Sequence, residues 1–348
     1  MKFAFVTILL LVSSVAAQSG RRKPTPTPTP KAIIGPSVNN LPQQANTSTP
    51  TPKPTAKPDT DEIIKVDSIL VPIPVSVLDA NGRAVTNLNL ADFELKIDGK
   101  AAEISDLARS DAPIRLAMLF DNSSSVAIAR EFEKEAAVRF FRRVIRPEKD
   151  KAALYSVADS ARLEQTLTSD VSLLTRAIDM FPPPEGATAL LEGIVEVANY
   201  LRSANGRRVV VIVSDGEDTG DLRTTLEAAV RALQANDCQV YIIKTTDFEN
   251  FKRTGQRAGN ANIRQLNAER RMAEIAAQTG GAVYSPIDEK EMKEAFDRIS
   301  AELSQQYILS YYPDDTTEKG GEFRSISLSV KGKNLIIRTR KGYYVPKK

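Results

Sequence analysis

The chain has 348 residues, 42% of them hydrophobic and 26% charged, and a formal net charge of only +3. That length suffices for at least one full core and for two domains, and that charge does not call for a polyanionic partner, so no nucleic-acid role is expected. Histidine and tryptophan are absent and Cys238 is the only cysteine, which excludes His-ligated zinc, a Ser-His-Asp triad and an internal disulfide.

Residues 1–17 read as a signal peptide. Lys2 supplies the charged start, Phe3 to Val12 the apolar stretch, and Ser13-Ser14-Val15-Ala16-Ala17 the small-residue cleavage region. The apolar stretch is short for a membrane span, which needs roughly 20 residues, so the mature chain is expected to lack one. Arg21-Arg22-Lys23 just behind it leaves an uncleaved anchor as the alternative. No cysteine follows the stretch, which excludes a lipoprotein anchor. The expected location is secreted, periplasmic or in the cell envelope. Residues 18–62, with Pro24-Thr25-Pro26-Thr27-Pro28-Thr29-Pro30 and Thr49-Pro50-Thr51-Pro52, have the composition of a disordered, semi-extended linker.

From Ile63 the period becomes two: Ile69, Val71, Ile73, Val75 and Val77 share a face, and Asn81-Gly82 supplies a turn. A second run, Phe93 to Ile97, ends in the turn signal Asp98-Gly99. Pro72 and Pro74 cannot donate to a ladder, which puts part of the first strand at an edge. Beyond Pro113 apolar strands alternate with helices. Strands are predicted at Ile114 to Phe120, Ala152 to Val157, Arg162 to Leu167, Arg208 to Val213, Gln239 to Lys244 and Ala282 to Tyr284. Helices are predicted near Ala127 to Val144, Val171 to Met180, Leu190 to Leu201, Thr224 to Gln234, Leu266 to Gln278 and Glu289 to Leu303. This alternation predicts an α/β fold, a doubly wound and mostly parallel sheet flanked by helices. The tail returns to period two at Tyr307 to Tyr312, at Ile326, Leu328 and Val330, and at Leu335 to Arg338. Neither β-segment has enough strands for its own core. Residues 63–110 and 305–348 are therefore expected to pair into one discontinuous, β-sandwich-like domain around an α/β domain at 111–304.

Ligands of open α/β sheets bind beyond the carboxyl ends of the strands, and the polar anomalies collect there. Asp121-Asn122-Ser123-Ser124-Ser125 follows one apolar strand, Ser214-Asp215-Gly216-Glu217-Asp218 follows another, and Gly186-Ala187-Thr188-Ala189-Leu190 opens a helix. A hard cation such as Mg²⁺ takes about six oxygen ligands and keeps some waters, which suits carboxylates and hydroxyls from several loops. Two carboxylates balance a divalent charge without exceeding it, leaving the ion electrophilic toward an acid supplied from outside.

Asp121-x-Ser123-x-Ser125, the Gly-x-Thr188-Ala-Leu segment and a strand ending in Asp215-Gly216 resemble the metal-ion-dependent adhesion site (MIDAS) of von Willebrand factor type A (vWA) domains over about Pro113 to Leu303. The resemblance implies that Ser123, Ser125 and Thr188 bind the cation and that Asp121 and Asp215 hold it directly or through water. A protein partner's Asp or Glu then completes the coordination of Mg²⁺, or of Mn²⁺ or Ca²⁺. Ser124 and Ala187 stand where that family often has glycine. The whole chain also resembles an exported bacterial, acidobacterial-type vWA subfamily, with a segment like Val75 to Ile104 before the core and a tail like Tyr307 to Tyr344.

The expected function is thus a non-enzymatic, cation-dependent protein-binding module. A metal-dependent hydrolase with Glu217 as base is the alternative of another class, and a metal-independent structural envelope protein is a third. Glu217 and Asp218 otherwise read as solvated loop acids. Arg139, Arg142 and Arg143 read as a solvated helix face, and the basic stretch Phe251 to Arg271 as a long exposed connection. Cys238 reads as a buried strand thiol without a role.

Overall fold

In the computed structural model of the protein the described residues are 70–346, apart from 127, 221–222, 257–261, 314–318 and 332–333. The expected signal peptide at 1–17, the expected linker at 18–62 and the first residues of the period-two segment lie outside them. Period-two burial opens this part of the chain. In β1 (Val71–Leu78), Val71, Ile73, Val75 and Val77 are buried while Pro72 is exposed. Asp79 closes the following turn by accepting the amides of Asn81 and Arg83, with Gly82 at positive φ. β2 (Phe93–Ile97) and β3 (Lys100–Ala102) form a hairpin on Asp98-Gly99, both at positive φ as a two-residue turn of this kind demands. β4 (Asp106–Arg109) then leads into the α/β part.

The next elements are β5 (Ile114–Asp121), α1 (Arg130–Val144), β6 (Lys151–Val157), β7 (Ala161–Thr168), α2 (Val171–Asp179) and α3 (Leu190–Leu201). They continue with β8 (Arg207–Ser214), α4 (Leu226–Ala235), β9 (Cys238–Lys244), α5 (Thr246–Thr254), α6 (Ile263–Thr279), β10 (Ala282–Tyr284) and α7 (Glu289–Gln305). The six strands lie in the order β10-β9-β8-β5-β6-β7, all parallel except β7, which is antiparallel to β6. Because β5 is central, residues on both of its faces are buried. Leu116, Met118 and Phe120 pack against α1, α2 and α7, while Ala117 and Leu119 pack against α3, α4 and α6. The expected three-layer, mostly parallel architecture is present.

The stretch expected to be a long loop after Phe251 differs. α5 occupies Thr246–Thr254, ends on Gly255 at positive φ, and anchors through fully buried Phe248. α6 then begins at Ile263 with an Asn262–Gln265 capping box. Among the described residues no helix is long and apolar enough to cross a membrane.

The tail supplies β11 (Tyr307–Tyr311), β12 (Phe323–Val330), β13 (Ile336–Arg338) and β14 (Gly342–Tyr344). Strands from both ends of the chain mix in two antiparallel sheets, ordered β13-β1-β11-β4 and β14-β12-β2-β3. Their apolar faces share one cluster that includes Ile73, Val75, Tyr307 and Leu309 from the first sheet and Phe93, Leu95, Ile97 and Ile326 from the second. The proline-bearing half of β1 pairs only with β11 among the described residues, so neither proline removes a donor from a doubly paired strand. Gln306 joins α7 to β11. It is buried, and its amide donates to Ser76 Oγ and to Gln239 Oε1, both at 3.0 Å.

Asp150 ties the start of β5 to the end of α1. Its carboxylate accepts the Ile114 amide at 2.8 Å, the Arg146 amide at 3.1 Å and the Arg146 guanidinium at 2.6 and 2.9 Å. Burial alone would raise its pKa, but the Arg146 guanidinium and the two amides outweigh burial and hold it below the ordinary carboxylate value. Asp150→Asn is expected to lower the unfolding free energy near neutral pH by about 1–3 kcal/mol in urea denaturation. The folded-state pKa lies below the unfolded value of about 3.9, so the charged form stabilises above that value and its contribution fades as pH falls through the folded value. The gap between wild type and Asp150→Asn should therefore hold steady from neutral pH down to about 5 and close in stronger acid. A gap that widens in acid contradicts this assignment.

Candidate metal centre

From β5 the chain crosses to β6 on one side, and from β8 it crosses to β9 on the other, so the loops leaving the two central carboxyl ends diverge and open a crevice. Phe120 pairs with Val213, which brings Asp121 beside Ser214. The Ser214 hydroxyl donates to Asp121 Oδ2 at 2.5 Å, and the Ser123 amide donates to Oδ1 at 2.9 Å. Asp121 is wholly buried. Burial first, and then the neighbouring Asp215 carboxylate, push its pKa up to about 7 against the pull of the Ser123 and Ser214 hydrogen bonds. Among the described residues no lysine or arginine bonds either aspartate.

Ser123 is buried and its hydroxyl lies 3.0 Å from that of exposed Ser125. A short 3-10 turn, Ser124–Val126, separates this loop from α1. Asn122 holds the loop from behind. Its amide donates to the Val157 carbonyl at 2.7 Å, and its Oδ1 accepts the buried Arg130 guanidinium, which also bonds the Pro182 carbonyl. Ser124, standing where a glycine is often found, donates its hydroxyl to the Gly186 carbonyl at 3.1 Å and so joins the first loop to the second.

Thr188 is buried one residue before the N-cap of α3, Ala189. Its amide donates to Thr219 Oγ1 at 3.1 Å, and its carbonyl accepts the amides of Thr219 and Gly220 at 2.8 and 2.9 Å. These bonds join the second loop to the third. Gly186 has φ +79°, and a Cβ there would sit 2.8 Å from Asp159 Oδ1, the atom that accepts the Ala187 amide.

On the third loop Asp215 accepts the Glu217 amide at 2.9 Å, and its carbonyl accepts the Thr246 hydroxyl at 3.1 Å. Glu217 and Asp218 are half-buried rather than solvated. Asp218 accepts the Leu191 amide at 3.3 Å in the first turn of α3, which is a structural task. Arg271, expected in an exposed connection, donates to the Gly216 carbonyl at 2.6 Å and braces the loop from α6. Ser125, Asp215, Glu217, Thr246 and Glu249 line a cleft of about 360 Å³ together with Ile128 and Arg253.

All five sequence-predicted residues therefore lie on three interlinked loops at one edge of the sheet. Their oxygens suit a hard cation. Neighbouring oxygens of an octahedron with bonds of about 2.1 Å are about 3.0 Å apart, the separation of the Ser123 and Ser125 hydroxyls. Two carboxylates without a bonded cation supply the charge. Among the described residues no three His, Cys, Asp or Glu side chains converge to hold an ion, so an ion here depends on the hydroxyls. Sequence reasoning missed Glu133 and Glu249. Glu133 is fully buried with both carboxylate oxygens unpartnered, and Glu249 accepts the Ala129 amide at 2.7 Å.

The family model of the von Willebrand factor type A domain matches residues 116–298, more than half of the chain. The chain belongs to this family. The vWA match begins within β5 and ends within α7, so it spans all three loops. No curated protein matches the chain. Among solved structures, an aerotolerance-related membrane protein from Bacteroides fragilis is 20% identical, with 55% of this chain and 98% of that one covered and a TM-score of 0.41. The PilB minor pilin from Streptococcus sanguinis is 13% identical, with 58% and 63% covered and a TM-score of 0.43. Proximal thread matrix protein 1 from the mussel byssus, in a form with a zinc-occupied MIDAS motif, is 18% identical, with 58% and 48% covered and a TM-score of 0.43.

Gly186→Ala is expected to cost about 1–3 kcal/mol of stability, because it combines positive φ with displacement of the Asp159 carboxylate. Urea denaturation checks it, and an unchanged midpoint would show that the vWA loop before Thr188 tolerates a side chain.

Proposed function

We propose that the chain is an exported, cation-dependent protein-binding module. In this reading Asp121, Ser123, Ser125, Thr188 and Asp215 hold Mg²⁺, or Mn²⁺ or Ca²⁺, and the ion coordinates an Asp or Glu side chain presented by a protein partner. The observation that carries the reading is the buried Asp121 carboxylate next to Asp215, with no basic side chain bonded to either among the described residues and with the paired serine hydroxyls beside them. A divalent ion removes the cost of that buried charge. With two carboxylates as its charged ligands the ion stays electrophilic, and the adjoining cleft gives an acidic side chain a way in.

Binding rather than catalysis is favoured by the ligand set and by the lack of histidine in the chain. In the same reading residues 1–17 direct export, residues 18–62 act as a spacer, and the strands drawn from 63–110 and 305–348 form a β-sandwich-like platform for the vWA domain at 111–304. The location is then outside the cytoplasm, secreted, periplasmic or in the envelope.

Thermal unfolding of the full chain in Mg²⁺ or Mn²⁺ tests the site. At a cation concentration of about 100 times Kd the gain is about 2.7 kcal/mol, and it is expected to vanish in Asp121→Ala and Thr188→Ala. A partner recovered from envelope extract should be released by EDTA and lost in Asp215→Ala. A melting temperature indifferent to cations, or a partner retained in EDTA, would contradict the reading.

A further inference from the structure

Glu133 is a fully buried carboxylate on the first turn of α1, and among the described residues neither of its oxygens has a hydrogen-bond partner. Such a group weighs against folding unless something satisfies it. It does not cap its own helix, since capping would give it an amide partner. Its charged neighbours are the carboxylates of Asp121, Glu249 and Asp215 and the guanidinium of Arg130. Arg130 is committed to Asn122 and the Pro182 carbonyl. Burial first, and then the three carboxylates, drive the Glu133 pKa well above the ordinary value. Among the described residues the chain thus places a fourth acid where it has three already and gives it nothing to bond.

A second orphan lies nearby. The Thr245 hydroxyl is buried without a partner among the described residues, while its amide donates to the carbonyl of Ser214, the residue whose hydroxyl bonds Asp121. Two unsatisfied groups of opposite capability at one edge of the sheet are what a hydrated ion would satisfy. A hydroxyl that gives its lone pair to a cation turns its proton away from it, and a coordinated water carries two protons, each needing an acceptor. No three acids among the described residues converge to hold an ion, which favours a place for Glu133 outside the direct ligands.

We propose that Glu133 is an outer-sphere carboxylate of the cation centre, a positioning residue that accepts hydrogen bonds from ion-bound water or hydroxyl and adds a buried negative charge that tightens cation retention. This rests on the cation-binding reading of Asp121, Ser123, Ser125, Thr188 and Asp215. It has a signature that a structural glutamate lacks, because removing the charge has opposite effects on the empty and the loaded protein. Without the ion, Glu133 is a buried and unsatisfied acid, so Glu133→Gln should leave the metal-free melting temperature unchanged or raise it. With the ion, the same change should weaken Mn²⁺ binding by about 10- to 100-fold, the range found when the outer partners of metal ligands are removed.

The test is titration of the metal-free full chain with Mn²⁺, following the free-ion signal by electron paramagnetic resonance, beside a melting curve of each metal-free variant. Glu133→Asp keeps the charge and should bind Mn²⁺ more tightly than Glu133→Gln does. Glu133→Met removes both charge and polarity at similar volume and should match Glu133→Gln in affinity while melting no lower than wild type. Wild type that binds no Mn²⁺ would overturn the cation-binding reading and this one with it. Wild type that binds Mn²⁺ while Glu133→Gln binds equally well would overturn this proposal alone. Failure of both Glu133→Gln and Glu133→Met to fold would do the same, by making the carboxylate a requirement of the fold.

Discussion

Asp121 is the last residue of the central strand and has no exposure to solvent, yet among the described residues its carboxylate is held by hydroxyls and an amide and by no basic side chain. A charge so placed weighs against folding unless a positive charge joins it. The chain then adds Asp215 on the adjacent strand end and Glu133 and Glu249 on the two helices that pack there, while the nearby Arg130 is spent on Asn122 and Pro182. Much of the remaining local structure holds this arrangement in place. Ser124 ties the first loop to Gly186, Thr219 ties the third to Thr188, Asp218 fixes the start of α3, and Arg271 holds the turn at Gly216.

The two antiparallel sheets attach at the other edge of the parallel sheet. Gln306 bonds Gln239 near the start of β9 and accepts from Arg207 at the start of β8, while Asp121 and Asp215 lie at the far ends of their strands. Arg338 of β13 meets Glu302 of α7, and the hydroxyls of Tyr284 and Tyr241 donate to the same carboxylate at 2.6 and 3.4 Å. This network fixes the tail strands to α7, at the opposite end of the parallel strands from the three loops.

The layered α/β architecture was legible because buried parallel strands such as Val209 to Val213 are apolar on both faces, a pattern that surface helices do not share. Asp121, Ser123, Ser125 and Asp215 were legible as polar residues following apolar strands and Thr188 as one opening a helix, and their grouping as one candidate ligand set came from the resemblance to the metal-ion-dependent adhesion site. α5 was not. Its nine residues include only two aromatic positions among charged ones, and its anchor is the single buried Phe248. Gly255 at its C-terminus was the one available signal. Glu133 was hidden for a related reason. It sits among Glu131, Lys134 and Glu135 on a helix rich in both signs, and only the packing of α1 shows which of those charges turns inward. Asp218 looked solvated because its amide partner, Leu191, is far away in sequence.

Anomalous scattering from a crystal of the full chain grown with Mn²⁺ locates the ion. A single strong peak is expected about 2.1 Å from the hydroxyl oxygens of Ser123 and Ser125, with Thr188, Asp121 and Asp215 around it and Glu133 beyond direct bonding distance. Mn²⁺ seated instead among Glu217 and Glu249, or absent from the three loops at saturating concentration, would contradict this placement.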